Sequence, residues 1–405
     1  MRLLVFDETR FDWQSVETLR LNLLPALSRL CEILVWVVPN YLHPEFANRI
    51  NDAPCLLLEG HNWPRWSLRC LPQRFLRKVN PSLTGRVGQA AARSLRDTRI
   101  RALAKKYRCT HFLTSCIWDQ PLPDMALPVF GFVCDINPAL PGEAKLNTTR
   151  WVAGAQGIFG ISEFTRQELQ RAHPSEAGKI HAVPLAAPEF KNWNPKPPAA
   201  RKFDFYYPAA AEPHKNHLVL FQACVALAGL GWRFRLALSG AGIDGFSVNG
   251  GFANPKVEET RRFLHDHASL LDHRVEVIGK VGLTAVDALY EDTRCVVLPS
   301  NYEGFGFPLA EAIQRGIPVI CSDIPPFREQ LATLGGPADI QIVPVNDAVC
   351  LAAAMENLLK CAPDAPSEQT PTAKLCRWTW QDAALRCFEL LSKGDHEGFG
   401  GLNGG

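Results

Sequence analysis

Pro299-Ser300-Asn301-Tyr302-Glu303-Gly304-Phe305-Gly306-Phe307-Pro308-Leu309-Ala310-Glu311-Ala312 follows directly on the apolar run Cys295–Leu298. In that order the residues read as a buried strand, a tight glycine bend and the start of a helix. Gly304 and Gly306 permit a tight backbone path and a close approach to a ligand. Pro308 suits a first helical turn, where the N–H groups lack intrahelical acceptors. A helix start aimed at such a bend favours an anion such as a diphosphate. Glu303 on the loop and Glu311 one turn into the helix are expected on the same side of that site. A carboxylate accepts from two hydroxyls at once, which suits the diols of a sugar or a ribose. The plainer reading is a strand–turn–helix with two solvated glutamates. The coincidence of two glycines, a proline and two acids favours a site.

Outward from this stretch, short apolar runs alternate with helix-like segments. Upstream, Leu3–Phe6, Ile33–Val38, His111–Thr114, Val129–Val133 and Gly157–Gly160 read as strands, and Val16–Leu30, Arg86–Lys106 and Glu163–Arg171 as helices. A proline-rich polar break covers 186–201. The pattern restarts with strands at Phe203–Tyr207, Arg233–Ser239, Val275–Ile278, Cys295–Leu298 and Val319–Cys321. Helices at Asn216–Ala228, Lys256–Leu270, Thr284–Glu291 and Leu309–Arg315 fall between them. Alternation of this kind predicts parallel sheets covered by helices on both faces. The chain of 405 residues is long for one core and suits two such domains, 1–188 and 200–375. A last helix within 376–393 is expected to cross back to the first domain, and 394–405, rich in glycine, is expected to be disordered.

Composition excludes several classes. Apolar residues make up 47% and charged residues 21% with a formal net charge of +2, ordinary for a globular protein and no field for nucleic acid. The 13 cysteines form no C-x-x-C pair and no cluster with zinc spacing, so a reducing cytosol is the expected compartment. No run approaches the roughly 18 apolar residues that span a bilayer. The local exception is 65–108, with thirteen Lys or Arg and one acid, Asp97. Arg86, Arg93, Arg96, Arg99 and Arg101 fall on its helix, after Trp66, Leu68, Leu71 and Phe75. Two readings stay open for it: peripheral contact with anionic head groups or a lipid-diphosphate acceptor, and a solvated helix face.

A second signal is Glu212-Pro213-His214-Lys215-Asn216-His217, between a strand and a helix. A lysine there reaches a diphosphate as a point charge. Gly240-Ala-Gly242-Ile-Asp-Gly245 fits G-x-G-x-x-G after a strand, but a dinucleotide site needs a helix to open there, and the run continues as loop-like sequence. No D-x-D occurs in the chain.

The E-x7-E segment and the following Gly316-Ile-Pro-Val-Ile-Cys-Ser322-Asp resemble glycosyltransferase family 4, a group of retaining enzymes. The resemblance covers about Tyr206 to Leu359 and implies the GT-B fold, two Rossmann-like α/β domains facing across a cleft. It implies transfer of a hexosyl unit from a UDP- or GDP-linked sugar to a glycan or lipid-linked acceptor hydroxyl with retention, in polysaccharide or glycan assembly. No resident cofactor or metal is implied, since D-x-D belongs to the metal-dependent transferases of the other fold. The implied catalytic set is Glu303, on sugar hydroxyls, with Lys215, Cys134 and Asp135. The implied donor contacts are Lys215, Gly240, Gly304, Phe305, Gly306, Phe307 and Glu311, the last on the ribose.

The chain departs from the family in three places. Many relatives carry an arginine shortly before the lysine, where this chain has Pro208-Ala-Ala-Ala, so His214 or an arginine from elsewhere is expected to share the charge. Relatives often carry a histidine facing the sugar where this chain has Cys134, ahead of Asp135, which has the alternative of capping its own loop. The turn Asp7-Glu-Thr-Arg-Phe11 lacks the glycines many relatives have. Gly160-Ile-Ser162-Glu163-Phe-Thr165 resembles the family's strand–helix turn, with Ser162 as its N-cap. Two other classes remain open: another GT-B-like enzyme such as an epimerase or phosphorylase, and a catalytically silent homologue that binds sugar nucleotide or a partner.

Overall fold

A computed structural model describes residues 1–7, 14–39, 47, 50, 53, 55–61, 86–118, 120–137, 140, 142–188, 193–247, 255–271, 273–336, 339–361 and 378–397. The chain divides into two units, Met1–Leu185 with Thr379–Gly405, and Ala186–Trp378.

In the first unit the apolar runs become parallel strands β1 (Arg2–Phe6), β2 (Ile33–Pro39), β3 (Leu56–His61), β4 (His111–Thr114), β5 (Val129–Val133), β6 (Gly157–Gly160) and β7 (Ile180–Ala182). They form one sheet in the order β3-β2-β1-β4-β5-β6-β7. β1, β4, β5 and β6 are almost wholly buried, as a sheet covered on both faces requires. Helices α1 (Gln14–Ser28), α2 (Arg86–Lys106), α3 (Gly142–Gly154) and α4 (Glu163–Ala172) connect them.

The second unit repeats the plan with β8 (Phe203–Pro208), β9 (Leu236–Ser239), β10 (Val275–Gly279), β11 (Thr293–Leu298), β12 (Val319–Ser322) and β13 (Ile340–Val343). Its strand order is β10-β9-β8-β11-β12-β13, all parallel. Its helices are α5 (His217–Gly229), α6 (Glu258–Asp266), α7 (Ala268–Leu271), α8 (Leu283–Glu291), α9 (Phe307–Arg315), α10 (Pro325–Leu334) and α11 (Ala348–Lys360). A final helix, α12 (Trp380–Glu397), packs on α1 in the first unit. It runs past 393 into the stretch expected to be disordered, and 398–405 lie outside the described residues.

Most elements stand where the periodicity puts them, and the differences have physical reasons. β3, β7 and β13 escape the sequence reading; all three lie at sheet edges, and β7 is only three residues long. The single helix expected over Lys256–Leu270 is two, α6 and α7, with His267 between them as the C-cap of α6. Of the basic segment, 65–85 lie outside the described residues. Arg96 does not belong to a solvent face: it is buried, its Nη2 2.6 Å from Asp97 and its Nη1 2.9 Å from the Pro121 carbonyl. Arg99 and Arg101 are exposed, Arg101 beside Asp124. No helix among the described residues is long and apolar enough to cross a membrane.

At the C-terminal end of β1, Asp7 is fully buried with Arg20 of α1, Nε to Oδ2 3.2 Å. Asp7 also accepts from Ser115 N and Oγ at 3.0 and 2.8 Å, from Thr114 Oγ1 at 3.2 Å and from Trp36 Nε1 at 3.1 Å. A buried carboxylate needs this many donors to offset its lost hydration. Asp7→Ala is expected to cost about 3–5 kcal/mol in chemical denaturation, because it strands the Arg20 charge. The double variant Asp7→Leu/Arg20→Met is expected to be more stable than that single variant.

Candidate functional site

The second unit brings its chemistry together where the strand order reverses. β8, β9 and β10 step one way from the centre and β11, β12 and β13 the other, so β8 and β11 are neighbours. Ligands of open α/β sheets bind at such a reversal, outside the C-terminal ends of the strands. Lys215 follows β8 on a short 3-10 turn, Pro213–Lys215, and Glu303 follows β11.

Lys215 Nζ lies 2.7 Å from both Glu303 Oε1 and Oε2. The pair is mostly shielded, with side-chain exposures of 17% and 10%. Around it, Ser300 Oγ donates to Glu303 Oε1 at 2.8 Å and the Tyr207 hydroxyl donates to the Lys215 carbonyl at 2.6 Å. The Tyr207 and Ser300 oxygens are 3.1 Å apart. Burial, and then the Glu303 charge, push the Tyr207 phenol well up, so it stays a donor. The two loops are also stapled through their backbones. Asn301 N donates to the His214 carbonyl at 2.9 Å, and Asn216, in the left-handed conformation at φ 58°, donates from Nδ2 to the Pro299 carbonyl at 3.1 Å.

Gly306 has φ +91° and caps α9 without a side-chain hydrogen bond. A Cβ there would stand 2.5 Å from the buried Phe327 ring, so the bend requires glycine. Gln330 donates to the carbonyls of Phe305 and Gly306, fixing the bend from α10. Gly304 is buried, and Phe305 and Phe307 pack edge to face at 5.1 Å with 6% and 7% exposure. The rings of this pair serve the core, leaving the backbone of the bend as their means of meeting a ligand.

Glu311 sits in a separate network. Its Oε2 accepts from the Tyr290 hydroxyl at 2.6 Å. Tyr290 stands edge to face on Tyr206 at 5.2 Å, and the Arg315 guanidinium lies 4.5 Å over the Tyr290 ring. Arg315 pairs with Asp287 and donates to the Glu311 carbonyl at 3.2 Å. Glu311 keeps part of its surface, yet the protein around its carboxylate raises its pKa by desolvation, opposed by the Arg315 charge and the Tyr290 hydrogen bond. The two acids meet different tyrosines: Glu303 shares Ser300 with Tyr207, and Glu311 bonds Tyr290, which stands on Tyr206. Arg315 is an arginine from elsewhere in the unit, and it serves Asp287 and Glu311.

Gly240 answers first to the fold. At φ +146°, a Cβ would stand 2.3 Å from the Ala209 carbonyl oxygen. The G-x-G-x-x-G run opens a 3-10 turn, Ile243–Phe246, in keeping with its reading as no dinucleotide fingerprint. Beneath Lys215, His217 is 2% exposed, its ring 4.8 Å from Tyr207 and 5.2 Å from Phe246, and neither ring nitrogen has a hydrogen-bond partner. Burial first, then the Lys215 and His214 charges, push its pKa down to about 3.

In the first unit Cys134 follows β5, buried, with its thiol pushed well up by a hydrogen bond with Cys116 and by burial. Asp135 accepts from Asn137 N at 3.0 Å, an Asx turn that holds its own loop. Ser162 caps α4 by accepting from Thr165 N at 3.0 Å. Residues 8–11 of the first turn lie outside the described residues.

Sequence reasoning missed Ser300, Tyr207, Tyr290 and Arg315. Ser300 stood inside the quoted stretch, and its signal was a hydroxyl three residues before the acid. The tyrosines read only as strand and helix apolar residues, because their hydroxyl partners are far away in sequence.

Two substitutions test this architecture. Gly242→Ala is expected to cost about 1–2 kcal/mol, the price of a left-handed residue, since its Cβ would meet only Ala211 Cβ at 3.5 Å. Gly240→Ala is expected to cost more in the same unfolding assay, because its Cβ meets backbone. His217 titrates near 6.5 when unfolded and near 3 when folded, so the unfolded chain binds more protons between those values. Its share of stability is complete above about pH 6.5 and falls as pH drops. Between about pH 7.5 and pH 5 the parent is expected to lose about 2 kcal/mol through this group. His217→Phe is expected to flatten that slope in urea titrations at the two pH values.

The family model described as "Glycosyl transferases group 1" matches residues 189–374. The O-antigen chain mannosyltransferase B of Escherichia coli is 29% identical over 196 residues, 46% of this chain and 48% of that protein. The chain thus spans about half the length of this curated relative. Among solved structures, the sucrose-phosphate synthase of Thermosynechococcus elongatus aligns with a TM-score of 0.60 at 17% identity, over 97% of this chain and 99% of that one. Anabaena HepE, solved with UDP and glucose, aligns with a TM-score of 0.60 at 12% identity over 98% of each chain. The two parallel-sheet α/β units have the GT-B fold, and residues 189–374 of the second carry the sequence pattern of the group 1 glycosyl transferases.

Proposed function

We propose that this chain transfers a hexosyl unit from a UDP- or GDP-linked sugar to a glycan or lipid-linked acceptor hydroxyl, with retention, in polysaccharide or glycan assembly. The observation that carries the reading is the Lys215–Glu303 pair at the strand-order reversal of a unit matching the group 1 family. The mannosyltransferase relative supports a hexose as the transferred group.

In this reading the donor diphosphate meets the Gly306 bend and the start of α9, with Lys215 beside it. Departure of the nucleoside diphosphate builds charge on the leaving oxygen, and preorganised N–H groups with a lysine stabilise that charge as it forms. Glu303 accepts from a sugar hydroxyl while the anomeric carbon gains positive character. It need not release Lys215 to do so, since a carboxylate has about four acceptor positions. Glu311, already accepting from Tyr290, takes the ribose. The leaving phosphate takes the acceptor proton, and the acceptor attacks on the face the leaving group vacates. The chain carries no D-x-D, and lysine with helix start takes the diphosphate charge in a metal-independent step. A cytoplasmic site of action, with Arg99 and Arg101 available to an anionic surface, belongs to the same proposal.

One observation favours a second reading. Where the family's histidine faces the sugar, this chain has the buried thiol of Cys134 engaged with Cys116, which suits a homologue that binds sugar nucleotide without turning it over.

A thermal-shift screen of UDP, GDP and their hexose conjugates tests the site. A ligand at about a hundred times its Kd adds about 2.7 kcal/mol of stability. Lys215→Met and Glu311→Ala are each expected to weaken binding by about tenfold or more, as loss of a charged hydrogen bond implies. Full shifts in both variants would remove the site assignment. Release of free nucleoside diphosphate with a new glycoside, its anomeric configuration read by NMR, separates transfer from silent binding.

A further inference from the structure

Both halves of the Lys215–Glu303 pair hang on one buried pair of hydroxyls. Ser300 is 1% exposed and Tyr207 is 1% exposed, and their oxygens are 3.1 Å apart. Each hydroxyl owns a single proton. The carboxylate of Glu303 and the carbonyl of Lys215 only accept. Ser300 therefore spends its proton on Glu303 Oε1 at 2.8 Å, and Tyr207 directs its proton to the Lys215 carbonyl at 2.6 Å. The partition at the carboxylate is unequal. Among the described residues, Oε1 receives two donors, Lys215 Nζ and Ser300 Oγ, whereas Oε2 receives Lys215 alone. With two lone-pair positions on each oxygen, Oε1 is filled and Oε2 keeps one for a ligand.

We infer that Ser300 is a positioning residue that reserves Glu303 Oε2 for a hydroxyl of the donor sugar, while Tyr207 holds the backbone of Lys215 for the diphosphate. The inference rests on the reading of this site as a nucleotide-sugar site and assigns its two functions to two different hydroxyls. Ser300 acts through Glu303 and touches no phosphate. Its loss frees Oε1 and lets the carboxylate rotate on Lys215, so sugar recognition suffers and nucleotide recognition does not. Tyr207 acts through the Lys215 main chain, so its loss weakens nucleotide and nucleotide sugar alike.

The experiment measures Kd for UDP, UDP-glucose, GDP and GDP-mannose by calorimetry on the full chain and on Ser300→Ala, Ser300→Thr and Tyr207→Phe. The quantity read is the ratio of the nucleotide Kd to the nucleotide-sugar Kd for the nucleotide the parent prefers. Ser300→Ala is expected to lower that ratio about tenfold while the nucleotide Kd stays within about twofold. Ser300→Thr, which keeps the donor, is expected to restore it. Tyr207→Phe is expected to raise both Kd values together. An Ser300→Ala ratio within twofold of the parent's, or an equal loss of nucleotide and nucleotide sugar, overturns the inference and leaves the site reading standing. A parent that binds nucleotide with no gain from the sugar also overturns it, and a parent that binds none of the four ligands overturns both.

Discussion

The parallel pairing of β8 with β11 is the constraint on which the second unit's chemistry depends. It places the turns after these strands side by side, and so holds Lys215 and Glu303, 88 residues apart, at 2.7 Å. Such a pair needs walls that exclude water on most sides and a supply of donors for the carboxylate. The loops provide both, since Ser300 and Tyr207 lie on or beside the same two strand ends. The clamp is thus a consequence of strand order before it is a consequence of any single side chain.

The first unit has the same reversal, between β1 and β4, and uses it differently. There the strand ends carry Asp7 and Ser115, and Asp7 is paired with Arg20 at 0% exposure on both partners. One topology thus yields a sealed ion pair in one unit and a partly open one in the other. The difference lies in length and origin of the cation. Arg20 comes from the body of α1 and is fully buried, whereas Lys215 comes from the turn itself and keeps some exposure.

His217 shows what the partly open pair demands of its surroundings. A positive histidine under Lys215 would repel it, and burial in a ring of aromatic side chains keeps the imidazole neutral. The lysine's charge is therefore directed to Glu303 and outward. Glu311, on α9, keeps its carboxylate in a protein-lined setting where it accepts from the Tyr290 hydroxyl, while its backbone carbonyl accepts from Arg315.

Much of this protein was legible in its sequence. The central strands, the glycine bend at 304–306, the helix start near Pro308 and the doubly wound class all follow from local rules, because apolar runs, glycine and proline act within a few residues of themselves. Ser162 as an N-cap was legible for the same reason. Only the tertiary structure decided what meets what. It paired Lys215 with Glu303, gave Ser300 to one oxygen of that glutamate, turned Arg96 inward to Asp97 and set the Glu311 carboxylate against Tyr290. Those outcomes depend on strand order and burial, and both arise from contacts between residues far apart in the chain, which no local pattern encodes.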